Sequence, residues 1–280
     1  MNTDQKDTGG LPIRSNLTLA YIISLVIAAL MTIASLAGLL YQTVIYPTDE
    51  LVQSFVPNDV VNLLIGLPTL LGAMWLTRRG RLIGLLLWPG ALFYVFYTYI
   101  IYTYSMPLNA GLLMHLALVL LSTYSMIGLV SSIDGKAVQN RLSGAVPEKA
   151  GGGVLVGLGV LFLIRVIGVL VNAIINQTPL AATELALNIS DFLITPTWII
   201  GGVLLWRRNT PGYVFGLGLL FQASMAFVGL IFVLILRPLI TTAQFSLSDV
   251  LIVIVMGMIC FVPFGLFIRG AASDRAPSSV

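Results

Sequence analysis

Arg165 stands near the middle of a long apolar run, 154–175, with no interface within easy reach of its side chain. A guanidinium so placed needs a carboxylate, a freed carbonyl or an anionic ligand, because leaving it bare in lipid costs at least ~2.5 kcal/mol. The next apolar run carries candidates. Glu184, Asn188, Asp191 and Thr195 fall at i, i+4, i+7 and i+11, and so share one helical face. Asp59 and Asn62 lie on a comparable face ahead of Pro68. Carboxylates within an apolar segment normally face a bundle interior or a water-filled cavity, so two acidic stripes imply an ion or proton path. Asp59, Glu184 and Asp249 also read as caps of helix starts, whereas Asp191 lies deeper.

Pro68 and Pro196 sit at corresponding points of two apolar runs. Each removes a backbone donor and frees the carbonyl four residues earlier, Leu64 or Phe192, so both are expected to be helix breaks. His115, about a turn inside its run, reads as a proton relay or as a histidine bonded between helices. Tyr94, Tyr97, Tyr99, Tyr102 and Tyr104 crowd one half of a run, the pattern of an aromatic interface belt. Tyr94 is singled out because its counterpart in the second half of the chain is the polar Gln222.

Other chemistry is excluded by what the chain lacks. A single Cys and a single His leave no Cys-based metal site and no paired His ligands, and no cofactor motif or catalytic elbow is present. No metal, cofactor or catalytic residue is therefore expected. With 58% hydrophobic and 9% charged residues, the chain departs from the roughly 25% charged composition of soluble domains. Its mean hydropathy of +1.00 rules out a soluble enzyme, a disordered chain or a nucleic-acid binder. The solvent it implies is a lipid bilayer.

A membrane-crossing helix needs about 20 mostly apolar residues. Eight stretches qualify: 17–45, 60–76, 82–101, 112–130, 154–175, 185–206, 213–236 and 250–268. Of the 14 cations, all but Arg165 and Arg237 fall on the side shared by the two termini. Lys and Arg are retained on the cytoplasmic side, so a multi-pass protein of the cell membrane with both termini in the cytoplasm is expected.

The chain also matches itself. Pro68 through Phe93 aligns without gaps on Pro196 through Phe221, pairing Leu76 with Leu204, Arg79 with Arg207, Gly84 with Gly212 and Gly90 with Gly218. The first spans agree in a register shifted by two residues, where Ser35, Gly38 and Gln42 meet Arg165, Gly168 and Asn172. The expected fold is all-α, with eight transmembrane helices arranged as two parallel four-helix repeats, related by a pseudo-two-fold axis along the membrane normal. The implied divisions are a tail 1–16, a first repeat 17–131, a linker 132–153 that Asp134 opens as a capped helix and Gly144 ends, a second repeat 154–269 and a tail 270–280. An intramembrane enzyme is the function class that the missing motifs favour least, and two further classes remain. One is a transporter of a small solute, anion or proton, with a polar site between the repeats formed by Arg165, Asp191, Asn188, Gln222 and Tyr94. The other is a membrane subunit, sensor or scaffold whose polar residues only lock helices together, with partner proteins that the sequence does not name.

Overall fold

The structure is a computed structural model that describes residues 10–108, 110–240 and 244–273. Lys6, Arg275 and the outer parts of both expected tails lie outside them. The described residues form helices and no strand, and eight helical segments are long and apolar enough to cross a membrane. The first is α1 (Thr18–Leu40), followed by the single turn α2 (Gln42–Ile45). The second joins α3 (Asp49–Val61), a π turn (Asn62–Gly66) and α4 (Leu67–Arg78). Next come α5 (Leu82–Ser105) and α6 (Ala110–Ser131), and then the short connecting helix α7 (Gly135–Leu142). The last four are α8 (Glu148–Asn176), α9 (Ala182–Trp206), α10 (Thr210–Ile240) and α11 (Leu247–Ala272).

Hydropathy misplaces the start of the second span, which begins at Asp49 rather than at 60. Thr48 caps α3 by accepting the Leu51 N–H, and Asp49 and Glu50 in the first turn suit the positive helix end. The polar residues Gln53, Ser54 and Asn58 that mask this turn face a cavity, so they lower hydropathy without ending the helix. Asp59 is accordingly not a cap. It lies about 15 Å along the helix from Asp49 at 1.5 Å per residue, fully buried.

Neither proline breaks its span, which corrects the expected helix breaks. α9 runs unbroken through Pro196. Ahead of Pro68, the Leu67 N–H reaches back to the Asn62 carbonyl, the i to i−5 bond of a π turn, which takes one extra residue into the helix. Pro68 and Pro196 both lie on the exposed surface of the bundle beside Leu64 and Phe192, so they build no interior site.

Helix α5 is the centre of the bundle, packed against α4, α6, α9 and α10. Gly90 on α5 and Gly218 on α10 meet backbone to backbone. A Cβ added at Gly218 would stand 2.9 Å from the Gly90 Cα, and one added at Gly90 would overlap Gly218. The turn after α4 and the turn after α9 are built alike. Gly80 and Arg208 hold positive φ of 74° and 57°. Arg81 donates its N–H to the Leu76 carbonyl at 2.9 Å, and Asn209 donates to the Leu204 carbonyl at 2.8 Å. Gly84 rests on Leu76 and Thr77 as Gly212 rests on Leu204 and Leu205.

The connection 132–153 is fastened rather than loosely solvated. Asp134 caps α7, accepting the Lys136 and Ala137 N–H groups, and the chain leaves the helix ahead of Gly144, whose φ is +74°. Gln139 bonds the Arg208 carbonyl at 2.8 Å, and Glu148 accepts from the Tyr213 hydroxyl at 3.0 Å and the Gly144 N–H at 2.8 Å. On the other side the N-terminal peptide is strapped down: Arg14 N–H to the Ser132 carbonyl at 2.8 Å, Asp134 N–H to the Pro12 carbonyl at 2.8 Å, and Arg14 paired with Asp134 at 3.0 Å. The Arg14 guanidinium and the α7 amides hold the Asp134 carboxyl below the usual aspartate range. A carboxyl depressed in the folded state stabilises the strap above its unfolded pKa, and that contribution is lost as pH falls through the folded value. Protection of the Arg14 and Asp134 amides, measured against the intrinsic exchange rate at each pH, should therefore fall below about pH 4. In Asp134→Asn that protection should be low at every pH.

Candidate functional site

A cavity of about 640 Å³ lies among α3, α5, α8, α9 and α10. It extends from the helix ends that carry Glu50, Thr183, Glu184 and Arg237 down to Tyr94, Arg165, Asp191 and Met225. Most of its wall is apolar, from Phe55, Ile101, Phe162, Leu187 and Leu230 among others. Its size and mixed lining are those of a small-molecule site. At the rim, Thr183 donates its backbone N–H at 3.2 Å and its hydroxyl to Glu50, which ties the start of α9 to α3.

At the inner end Arg165 Nη1 donates to Asp191 Oδ2 at 2.8 Å, and the Tyr97 hydroxyl donates to Asp191 Oδ1 at 2.9 Å. The two charges are held very differently: the Arg165 side chain is 40% exposed and that of Asp191 only 1%. Asp191 has both oxygens occupied and a sealed environment. Arg165 spends part of its fork on Asp191 and presents the rest to the cavity, where it can receive an anion. Below this pair the bundle is closed. Trp198 on α9 donates to Gln222 Oε1 on α10 at 2.7 Å, and Phe221 packs edge-on to Tyr94.

A second polar cluster lies beside the cavity, around Asp59 of α3. Asp59 accepts hydroxyl bonds from Tyr46 at 2.5 Å and from Tyr102 at 2.9 Å. Asn62 donates to Ser35 at 3.4 Å and accepts from Tyr94 at 2.6 Å. All of these residues are buried. Gly38 of α1 makes room for the carboxylate, since a Cβ there would strike Asp59 and the Tyr46 hydroxyl. Tyr94 is shared, bonding Asn62 while lining the cavity.

Of the residues expected between the halves, Arg165, Asp191 and Tyr94 line the cavity, as does Glu184 of the acidic stripe; Asn188 and Gln222 do not. Asn188 is buried in the same face of α9, donating to the Glu184 carbonyl at 2.8 Å with its own Oδ1 unpartnered. His115 is buried on α6 against the rings of Tyr99 and Tyr102, its Nδ1 unpartnered. The tyrosines correct the interface-belt expectation: Tyr94, Tyr99 and Tyr102 are buried and Tyr97 half-buried, while Tyr104 alone of the five is exposed. Tyr97, Tyr46, Tyr102, Glu50 and Arg237 are site residues that the sequence did not single out. A signal existed for part of this set: Tyr94, Thr98 and Tyr102 at i, i+4 and i+8 trace a polar, inward face of α5. Among the described residues no group of three His, Cys, Asp or Glu could hold a metal ion.

Eight apolar helical segments, five of which line a polar-floored cavity, are consistent with a multi-pass membrane protein. Comparison with known proteins finds no matching family model, no matching curated relative and no matching solved structure.

Proposed function

We propose that this protein is a membrane transporter for a small amphipathic anion, bound between two four-helix repeats with its charged group on Arg165 and its apolar part against the cavity wall. The observation that carries this reading is the asymmetry of the ion pair, a sealed carboxylate behind a guanidinium that lines the cavity. The start of α1 and the end of α11 lie at the end of the bundle away from the rim of the cavity, and if the cation distribution puts that end in the cytoplasm, the cavity opens outward.

The duplication is supported by the two like-built turns and by the meeting of Gly90 with Gly218, equivalent residues that touch where a two-fold axis would pass between them. The π turn adds one residue to the second span, which brings Asn62 opposite Asp191 and Asp59 opposite Asn188. With Ser35 opposite Arg165, the Ser35–Asn62 bond and the Arg165–Asp191 ion pair become two chemical versions of one contact. The second half thus holds a charged site where the first half holds a neutral one.

One observation favours the non-transporting reading: Asp191 is fully satisfied by Arg165 and Tyr97 without any ligand, as a helix lock would be. Octanesulfonate, which stays charged and crosses bilayers poorly, separates the two. Calorimetry on protein in lipid nanodiscs should show octanesulfonate binding and octyltrimethylammonium failing to bind, with at least a tenfold loss of affinity in Arg165→Met and a smaller one in Arg165→Lys. Proteoliposomes should then accumulate labelled octanesulfonate. Binding without uptake would leave a sensor, and binding of neither probe would remove the anion site.

A further inference from the structure

Asp59 is a buried carboxylate whose hydrogen-bond partners carry no charge, and among the described residues it forms no ion pair. Water is excluded from it and no cation answers it, so its charge rests on hydroxyl donors alone. Tyr46 and Tyr102 both donate to it, and Ser35 is a third hydroxyl within bonding reach. Such an arrangement suits a group that changes protonation state better than one kept charged for structure, because a permanently charged carboxylate at this depth gains nothing over a neutral amide. The surroundings also hold unused capacity. Tyr99, whose buried hydroxyl lies near Ser35, has no partner of its own, and neither has Nδ1 of His115, whose ring touches Tyr99 and Tyr102.

We propose that Asp59 is a proton-binding site, connected to the cavity by the line Ser35, Asn62 and Tyr94. The step balances with water alone: a proton from the aqueous phase adds to one carboxyl oxygen and nothing leaves. Its consequence is a change of hydrogen-bond direction. While Asp59 is charged, Tyr46 and Tyr102 point their O–H groups at it. Once it is protonated, the new O–H must donate, so a hydroxyl at that oxygen has to turn away and take another acceptor. Tyr99 and His115 supply acceptors of that kind. If Ser35 turns by a change of χ1, which carries away its oxygen and not only its proton, Asn62 loses the acceptor for its amide and the Tyr94 hydroxyl bonded to Asn62 shifts, and Tyr94 lines the cavity.

A proton suits this cluster better than a metal cation does. Sodium would need hydroxyl and amide oxygens turned toward it, whereas the Tyr46 and Tyr102 protons occupy the space beside the carboxylate. The titratable groups facing Asp59 are Tyr46 from the α2–α3 connection, Tyr94, Tyr99 and Tyr102 from α5 and, behind them, His115 from α6. From α1 the group is the neutral Ser35. The charged groups of α8, α9 and α10, Arg165, Glu184, Asp191 and Arg237, line the cavity, and Asp59 does not. The site goes beyond the anion reading above and depends on it only for what the cavity is used for.

Infrared difference spectra against pH, on the full chain in nanodiscs without any solute, test the proposal. The C=O stretch of a protonated carboxyl should grow in as pH falls between about 9 and about 4 and be missing from Asp59→Asn, while Asp191→Asn retains it. Tyr46→Phe and Tyr102→Phe each remove a donor to the charged form, so each should raise the midpoint by about one unit, a tenfold gain in proton affinity. Tyr94→Phe should raise it by less. No band lost in Asp59→Asn overturns the site, and a midpoint unmoved in Tyr94→Phe overturns the connection to the cavity. Exchanging choline for sodium at fixed pH should leave the band unchanged, and its displacement by sodium would make the cluster a metal-cation site instead. All five substitutions replace or remove a single side-chain heavy atom. A circular-dichroism melt shows which are folded, and Asp59→Glu provides a second route if Asp59→Asn is not.

Discussion

Arg165→Met should unfold more easily than the wild type by about 3 kcal/mol in a mixed-detergent titration, and a second substitution, Asp191→Asn, should recover most of that loss. The argument turns on which charge is stranded. Asp191 is 1% exposed and Arg165 40% exposed, with 2.8 Å between them. Removing the guanidinium leaves a sealed carboxylate with only the Tyr97 hydroxyl, the situation in which breaking a buried pair costs roughly 3–5 kcal/mol. The lower end applies because the guanidinium reaches the open cavity and part of its attraction is screened there. Asp191→Asn alone should cost about 1 kcal/mol, since the stranded cation is hydrated in the cavity and the amide oxygen still accepts from Tyr97. Equal losses from the two single variants would mean that Arg165 is as sealed as Asp191, and the cavity would not be the open space described here.

How much of this was legible follows from what lipid demands. A span must be apolar on the side that meets lipid, so α1, α5, α6, α8, α9, α10 and α11 each announce themselves as a hydrophobic run. The second span hid its outer turns because Gln53, Ser54 and Asn58 face a cavity inside the protein, where polarity is tolerated and hydropathy carries no information. Arg165 and Asp191 were visible as a cation and a carboxylate that lipid does not accept. Their being partners was not, because the crossing of α8 with α9 depends on packing that no single helix encodes. Tyr97 was invisible for a related reason: a tyrosine at a membrane interface and a tyrosine donating to a buried carboxylate have the same composition. Only its angular position on α5 distinguishes them, and that position has meaning once the neighbours are known. Asp59 was misread because a carboxylate near the apparent start of an apolar run looks like a cap. Thr48 had already supplied the cap, and the run began earlier than its hydropathy showed.

Gly90→Ala and Gly218→Ala should each destabilise the bundle by about 3 kcal/mol, the upper part of the range for overpacking, although each adds a single methyl group. At both positions the new carbon would meet backbone of the opposing helix, which cannot swing aside as a side chain can. α5 and α10 would have to separate along their length, and α5 carries Tyr94 and Tyr97 to the floor of the cavity. The effect should therefore reach the anion site, weakening octanesulfonate binding in variants that still fold. Gly72→Ala and Gly128→Ala are the controls. A Cβ at either would have nothing within 4 Å, so these substitutions should be neutral or stabilise by up to about 1 kcal/mol through helix propensity. If equivalent residues meet at a two-fold axis, the two damaging variants should match each other, and the double variant should cost less than their sum because one separation of α5 from α10 relieves both methyl groups. A Gly90→Ala protein as stable as Gly72→Ala would show that the helices do not cross at this point. Single variants of unequal cost would count against the axis while leaving the contact in place.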